Sequence, residues 1–226
     1  MTRLLLTFFF LCVVTPLHAE DYKQLFEDAV ETVDWELEKN WAFTESNLKD
    51  DKVWVGRFDP RKAEDERWTL ISVDGRKPNE DELLKFEHDK EEHETSDSSR
   101  RVDIVDVETI ELLEETEEYW LLKFVPDEDE AQFIDNVDAT VKINKNGGYL
   151  EAIDLRNNDD IKPGFGTTIS TFIMHYQFGP AIEGGPIVPQ NMAIKVEGRA
   201  LLFIGFDESE IIEYSNFKFA GNGSNQ

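Results

Sequence analysis

The sequence predicts an α+β protein built on one strongly curved antiparallel sheet of about eleven strands, an incomplete barrel with two or three helices over its concave face. Alternation of apolar and polar residues in many short segments, as at Val141 and Ile143, indicates strands with one buried face. Few segments carry the three-and-four spacing of a helix. A hydrophobic fraction of 40% with 16 Phe supplies a core and argues against disorder.

The N-terminus has the three parts of a signal peptide. Arg3 is followed by an apolar run over residues 4–14, and Pro16 to Ala19 form a break that ends in a small residue. We therefore expect cleavage after Ala19 and a single domain over residues 20–226. An uncleaved anchor is disfavoured because a bilayer requires roughly 20 apolar helical residues.

The only cysteine, Cys12, lies inside this apolar run. Its removal leaves a chain without disulfides in an oxidising compartment, which favours the periplasm of a Gram-negative bacterium over a eukaryotic secretory route. Lipidation at Cys12 is disfavoured because Phe10 and Leu11 precede it where small residues are required.

The chain is strongly acidic, with a formal net charge of -26. This charge repels phosphate backbones, so we expect no nucleic-acid partner. The chain beyond the signal has no apolar stretch long enough to predict an integral membrane span. We interpret the acidity as a solvated surface, with an acidic docking face as the alternative, and expect a monomer.

The domain is predicted to open with an amphipathic helix over residues 21–39, because its apolar residues recur at helical spacing: Tyr22, Leu25, Phe26, Ala29, Val30, Val33 and Leu37. Alternation then predicts strands at 41–43, 53–58 and 68–72, and Asp74-Gly75 is a turn signal.

A second helix is predicted over residues 80–93. Pro78 and Asn79 precede it, and Asn79 and Glu82 have the spacing of a capping box. The helix belongs to an acidic insertion at about residues 76–99, whose distal half has almost no apolar residue.

Strands are predicted through the rest of the chain, with Asn146-Gly147 as a hairpin turn. Their ranges are 101–107, 117–125, 137–145, 149–156, 167–178, 190–197, 199–206 and 210–219.

No motif of high specificity for catalysis, metal binding or cofactor binding is present, so we predict no catalytic residue, no metal and no cofactor. His88 and His93 are five residues apart, which separates their side chains by about 140° on a helix, unlike a zinc pair. His175 is interpreted as a half-buried strand residue. Adjacent carboxylates are too common to select a pair, and 157–160 lacks the spacing of a calcium loop.

Large apolar residues either fill the interior of the sheet or line a cavity for an apolar ligand, and the sequence does not separate the two roles. The candidate ligand-binding residues are Trp54, Arg57, Trp68, Trp120, Phe172 and Met174.

Five short motifs occur along the chain: VWVGRFDP at 53–60, RWTL at 67–70, VDGR at 73–76, VEGRA at 196–200 and YSNF at 214–217. They resemble the periplasmic LolA/LolB-like lipoprotein-carrier superfamily. The resemblance implies an eleven-stranded half-barrel whose apolar concave face, covered by helices, accepts acyl chains. It places Arg57 in a strand region associated with contacts to those helices. The insertion at 76–99 and the extreme acidity depart from the family's pattern.

Three functions follow as hypotheses. The first is a non-catalytic periplasmic carrier for a lipid, an acyl chain or a lipidated protein, and it predicts a sizeable apolar cavity. The second is a cell-envelope interaction protein with a filled core. The third is a hydrolase, in which His175 or a pair of carboxylates would converge in a cleft.

Overall fold

The computed structural model describes residues 19–95, 104–126, 136–164, 166–201 and 204–221, and the side chains of 19–20 and 91–95 are not described. The predicted signal peptide lies outside these ranges apart from Ala19, which begins the first helix. The helices are α1 (Ala19–Glu31), α2 (Leu37–Asn40) and α3 (Glu80–Thr95), with a 3-10 helix at Glu64–Glu66. The strands are β1 (Trp41–Lys49), β2 (Lys52–Phe58), β3 (Trp68–Val73), β4 (Val105–Glu115), β5 (Tyr119–Pro126), β6 (Val137–Asn144), β7 (Tyr149–Asn157), β8 (Ile161–Gly164), β9 (Thr167–Pro180), β10 (Ile187–Ala200) and β11 (Ile204–Phe219).

The eleven strands form one antiparallel sheet in the order β3-β2-β1-β11-β10-β9-β7-β6-β5-β4, with β8 paired to β9. The sheet is curved and open, with β3 and β4 as its edges. The pairing of β1 with β11 joins the first and last strands in the middle of the sheet. The predicted α+β fold class is confirmed.

The predicted opening helix at 21–39 is not continuous. Helix α1 ends at Glu31, and Val33 forms an isolated parallel bridge with Ile187, whose carbonyl accepts a 2.7 Å hydrogen bond from the Asp34 backbone N–H. The helical spacing of apolar residues extends past the end of α1 because Val33, within the break, and Leu37, at the start of α2, are both buried against the sheet.

The predicted boundaries near the C-terminus were wrong in two places. Residues 199–206 and 210–219 are not two strands, since β10 continues to Ala200 and one long β11 follows it. Gly198 lies inside β10 and not in a hairpin turn. A Cβ at that position would collide with the Thr168 backbone oxygen, so the residue marks a close approach of β9 and β10.

The number of strands agrees with the prediction because β8 replaces the strand lost in that merger. This strand has only four residues, and two of them, Pro163 and Gly164, are residue types that argue against a strand in sequence-based prediction. Strand β4 starts at Val105 and extends beyond the predicted end at 107, while residues 101–103 lie outside the described ranges.

The predicted second helix and its capping box are confirmed. The Asn79 Oδ1 atom accepts from the Glu82 backbone N–H, and Glu82 Oε2 accepts from the Asn79 backbone N–H, both at 2.9 Å. The distal part of the insertion, residues 96–99, lies outside the described ranges. Among the described helices, none is both long and apolar enough to cross a membrane.

The described core has three clusters of buried apolar side chains. The larger core packs α1 against the strands from β4 to β7, with Tyr22, Phe26 and Ala29 of the helix buried together with Val33, just beyond its end. A second cluster lies where β1, β2 and β10 meet α2, and it contains Leu37, Trp41, Phe43, Phe58 and Val188. In the third, Phe86 of α3 packs over Leu70 and Val73 of β3. Strands β9, β10 and β11 lie between the part of the sheet under α1 and the part under α3.

Candidate ligand-binding site on the concave face

One row of cross-strand neighbours forms the floor of the concave face. Ile153, Tyr176, Met192, Ile212, Asn47 and Trp54 are paired in this order across β7, β9, β10, β11, β1 and β2. Their side chains share one face because the register aligns them and residues in a strand alternate between faces. The row is apolar up to Ile212 and becomes polar at Asn47. Two cavities lie on it, one on each side of this change.

The first cavity is apolar and has a volume of about 320 Å³. It lies between α2 and the strands from β7 to β11, with charged side chains of α2 at its rim. Its apolar lining consists of Trp35, Leu37, Ile153, Tyr176, Phe178, Pro189, Met192, Ile212 and Tyr214.

The segment between α1 and α2 forms one wall of this cavity. Trp35 follows the break and meets Phe178 edge to face, with ring centroids 5.5 Å apart. The carboxylate of Asp34 accepts hydrogen bonds from the Trp41 indole N–H at 2.9 Å and from the Asn40 amide at 3.2 Å. The aspartate thereby holds α2 against the start of β1.

The second cavity has a volume of about 330 Å³ and is lined by both charged and apolar groups. Glu45, Asn47 and Lys49 follow one another along one face of β1, and α3 covers them with Phe86 and Lys90. Met192 and Ile212 line both cavities and therefore lie where the two meet.

A buried ion pair connects α3 to the floor of the second cavity. Glu45 is 5% exposed, and its carboxylate lies 2.6 Å from Lys90 Nζ. The same ammonium lies 3.9 Å from the centroid of the Trp68 ring, where a cation is attracted to the π face. The helix is also held close to the sheet at Gly56, where an added Cβ would meet the Phe86 ring at 2.8 Å.

The start of α3 is fixed by charge as well. Arg76 donates two hydrogen bonds to the Glu82 carboxylate, at 2.5 and 2.9 Å. These bonds, followed by the backbone N–H of Asn79, lower the pKa of Glu82 to about 2.

Asn47 is the polar centre of the second cavity. Its Nδ2 donates to Glu210 Oε1 at 2.6 Å. Its Oδ1 is buried and has no hydrogen-bond partner among the described residues. An unpartnered buried acceptor is uncommon in a folded protein.

The candidate residues from the sequence do not form one cluster. Trp54 lines the second cavity, and Trp68 packs beneath α3 against Phe43, Phe58 and Phe86. Arg57 is exposed, next in β2 to the buried Phe58, and therefore lies on the convex face.

The other three candidates lie on the larger core. Trp120, Phe172 and Met174 are partly buried against it. Met174 is the cross-strand neighbour of Ile194, which lines the second cavity. The Trp120 indole donates to Glu115 at 3.2 Å, and Lys145 Nζ lies 4.6 Å from the ring centroid. The hydrogen bond from Lys145 lowers the pKa of Glu115.

Sequence reasoning missed the polar members of the site, Glu45, Asn47, Lys90 and Glu210. The available signal was the continued alternation of β1 beyond Phe43, which places two polar residues on the buried face. That signal is weak because a polar residue on this face usually predicts the end of a strand.

The histidines and carboxylates do not combine into a catalytic arrangement in the described part of the chain. His175 Nδ1 lies 2.6 Å from Asp154 Oδ1, and the two residues are cross-strand neighbours on the convex face. His88 is exposed on α3, and the side chain of His93 is not described. No group of three or more potential metal ligands occurs among the described residues.

Three carboxylates line the second cavity, and each has a different partner: Glu45 pairs with Lys90, Asp89 with Lys85, and Glu210 with Asn47. Glu45 pairs across the strands with Tyr214, and four residues of β11, about 13 Å of strand, separate Tyr214 from Glu210. The general-acid and nucleophile or base carboxylates of glycosidases lie about 5 to 9.5 Å apart. The backbone positions of Glu45 and Glu210 are therefore farther apart than that spacing.

Comparison with known proteins gives no assignment. No protein-family model matches the chain, and searches of curated proteins and of solved structures find no significant match.

Proposed function

We propose that this chain is a non-catalytic binding or carrier protein of the periplasm that holds the apolar chain of a lipid, an acyl group or a lipidated partner on the concave face of its sheet. The observation that carries the proposal is the apolar cavity beside α2, lined by aromatic and aliphatic side chains with charged groups at its rim. The resemblance to the lipoprotein-carrier superfamily points to the same class of ligand.

The size and chemistry of the cavity support this function. Its volume of about 320 Å³ lies at the lower end of the range for small-molecule pockets, roughly 300 to 1,000 Å³. Burial of apolar surface stabilises a complex by about 25 cal/mol per Å² before the costs of association. A hydrocarbon chain gains this energy without having to pair any buried polar group.

The first test measures whether the protein carries such a ligand. The full-length protein is purified from the periplasm of its own cells, and native mass spectrometry with lipid extraction looks for a co-purifying lipid. Binding of the uncharged fluorophore Nile red gives a second measurement that the acidic surface does not bias. We expect a lipid at about one per chain and saturable Nile red binding.

A matched pair of substitutions locates the binding. Met192→Trp places a large side chain where the two cavities meet, and we expect at least about tenfold weaker Nile red binding because the space is filled. Ile211→Trp is the control, since Ile211 is 38% exposed and lies next to Ile212 on the opposite face of β11. Equal binding by both variants would place the ligand elsewhere, and no binding by the native protein would contradict the proposal.

One observation favours the second function, an interaction protein with a filled core. Helix α1 buries Tyr22, Phe26 and Ala29 on the strands from β4 to β7, so that this part of the concave face is already occupied. This function predicts no co-purifying lipid and no Nile red uptake, and the same experiment therefore decides between the two.

A further inference from the structure

The second cavity contains hydrogen-bond acceptors that are not fully used, on Asn47 and Glu210. Glu210 uses one carboxylate oxygen to accept from Asn47, and this contact requires the Asn47 amide to turn its NH₂ group toward the carboxylate. The amide oxygen is thereby left buried without a donor. A ligand that donated to this oxygen and to Glu210 would remove the cost of an unsatisfied buried acceptor.

The inner lysine of this cavity is already engaged. Lys90 is 15% exposed, bonded to the buried Glu45 and held over the Trp68 ring. The other lysine, Lys49, is exposed at the rim, where it is the cross-strand neighbour of Glu210. The inner part of the cavity is therefore better suited to a positively charged donor than to an anion.

This acceptor group lies directly beside the apolar cavity. Met192 and Ile212 line both spaces, and Asn47 is the cross-strand neighbour of Ile212. Methionine has three rotatable bonds and adapts easily to a neighbouring group. A single ligand can thus place a hydrocarbon chain beside Trp35 and its polar end beside Asn47.

We infer that the ligand is a cationic amphiphile, an apolar chain that ends in a primary ammonium group. The ammonium is bound by Asn47 Oδ1 and the Glu210 carboxylate, and the chain occupies the apolar cavity. This inference rests on the proposed carrier function and adds the chemistry of the head group. A free long-chain amine and a phosphoethanolamine lipid share this ammonium group.

The test compares three probes with the same chain and different head groups. Dodecylamine, dodecanol and dodecanoic acid compete with Nile red for the full-length protein at neutral pH, at concentrations below the solubility limit or critical micelle concentration of each. We expect dodecylamine to bind at least about tenfold more tightly than the other two, because hydrogen bonds to charged groups are the strong ones. Lysophosphatidylethanolamine forms a fourth arm. Its binding identifies a lipid source, and its exclusion identifies a free amine.

Two variants separate a specific site from general attraction to an acidic protein. Glu210→Gln should reduce the preference for dodecylamine to within about threefold, because it removes the charge beside Asn47. Glu213→Gln is the matched control, since it makes the same change in net charge at an exposed position of the same strand, and it should retain the full preference.

The outcomes distinguish this inference from the proposed function. Equal affinity for the three probes, a preference for dodecanoic acid, or an equal response of the two glutamate variants would overturn the ammonium site and leave the carrier function standing. A failure of every probe, including Nile red, would remove both.

Discussion

Helices α1 and α3 cover opposite ends of the same concave face, each through residues at helical spacing but with different chemistry. Helix α1 buries Tyr22, Phe26 and Ala29, which are spaced by four and three residues, and Val33 is buried just beyond its end. Helix α3 turns Glu82, Phe86 and Lys90 toward the sheet at intervals of four residues. One cover is therefore apolar throughout, and the other has a single aromatic residue between two charged ones.

This difference has energetic consequences. Full burial of a large apolar side chain stabilises by about 1.5 to 3 kcal/mol, so the contacts of α1 add up. A buried ion pair such as Lys90 and Glu45 loses much of its attraction to desolvation, and α3 gains little net stability from it. We expect α1 to be the permanent cover and α3 to be the weaker one, over the cavity where we place the head group.

The largest expected effect is on the apolar cover. Phe26→Ala should lower the free energy of unfolding by about 3 to 5 kcal/mol, because Phe26 is 3% exposed and its loss leaves a cavity beneath α1. Urea denaturation measures the change. Gln24→Ala, an exposed position on the same helix, should change stability by less than about 0.5 kcal/mol. A loss below about 1 kcal/mol for Phe26→Ala would show that α1 is not the firm cover described above.

The next effect concerns the polar cover. Lys90→Ala leaves the Glu45 carboxylate buried without its cation and should cost about 3 kcal/mol. The double variant Glu45→Leu with Lys90→Met should recover most of that loss, because well-packed apolar groups often replace a buried ion pair without cost. Lys85→Ala is the control, since its pair with Asp89 is half exposed and contributes less than about 1 kcal/mol.

Hydrogen exchange then tests whether the two covers are independent. In Lys90→Ala the amides of α3 should exchange faster, while those of α1 keep their protection. Faster exchange in both helices to the same degree would mean that they unfold as one unit.

The two covers also differ in how far the sequence predicts them. The start of α3 follows from four consecutive residues. The side chains of Asn79 and Glu82 each accept a hydrogen bond from the other's backbone N–H, and no distant part of the chain is involved in these two bonds. The burial of α1 follows from its helical spacing. Its end does not, because the break depends on a hydrogen bond to the carbonyl of Ile187, more than 150 residues away.

The candidate site is less predictable for the same reason. The row that contains Met192, Ile212 and Asn47 depends on strand register, and an irregularity between Pro189 and Asn191 alters that register. Glu45 occupies a buried position only because Lys90 reaches it from α3. The alternation within one strand does not contain this information, and the aromatic residues chosen from the sequence are therefore spread over both ends of the sheet.

The smallest expected effect is on the acid stability of α3. The hydrogen bonds from Arg76, and then from the Asn79 backbone, lower the pKa of Glu82 from 4.5 to about 2. A carboxylate whose pKa is depressed on folding contributes stability that is fully present above about pH 4.5 and is lost as the pH falls toward 2. Glu82→Gln should therefore have a lower melting temperature than the native protein by a constant amount above about pH 5. That difference should shrink progressively between pH 4.5 and 2.

Glu87→Gln provides the control for this pH series, because Glu87 is exposed on the same helix. Its melting curve should follow the native curve at each pH. A difference between the native protein and Glu82→Gln that stays constant down to pH 2 would contradict the assigned role of the Arg76 contact. Since no carboxylate is among the three side chains that α1 buries, acid should weaken α3 before α1, and hydrogen exchange at about pH 3 should show the loss of protection in α3 first.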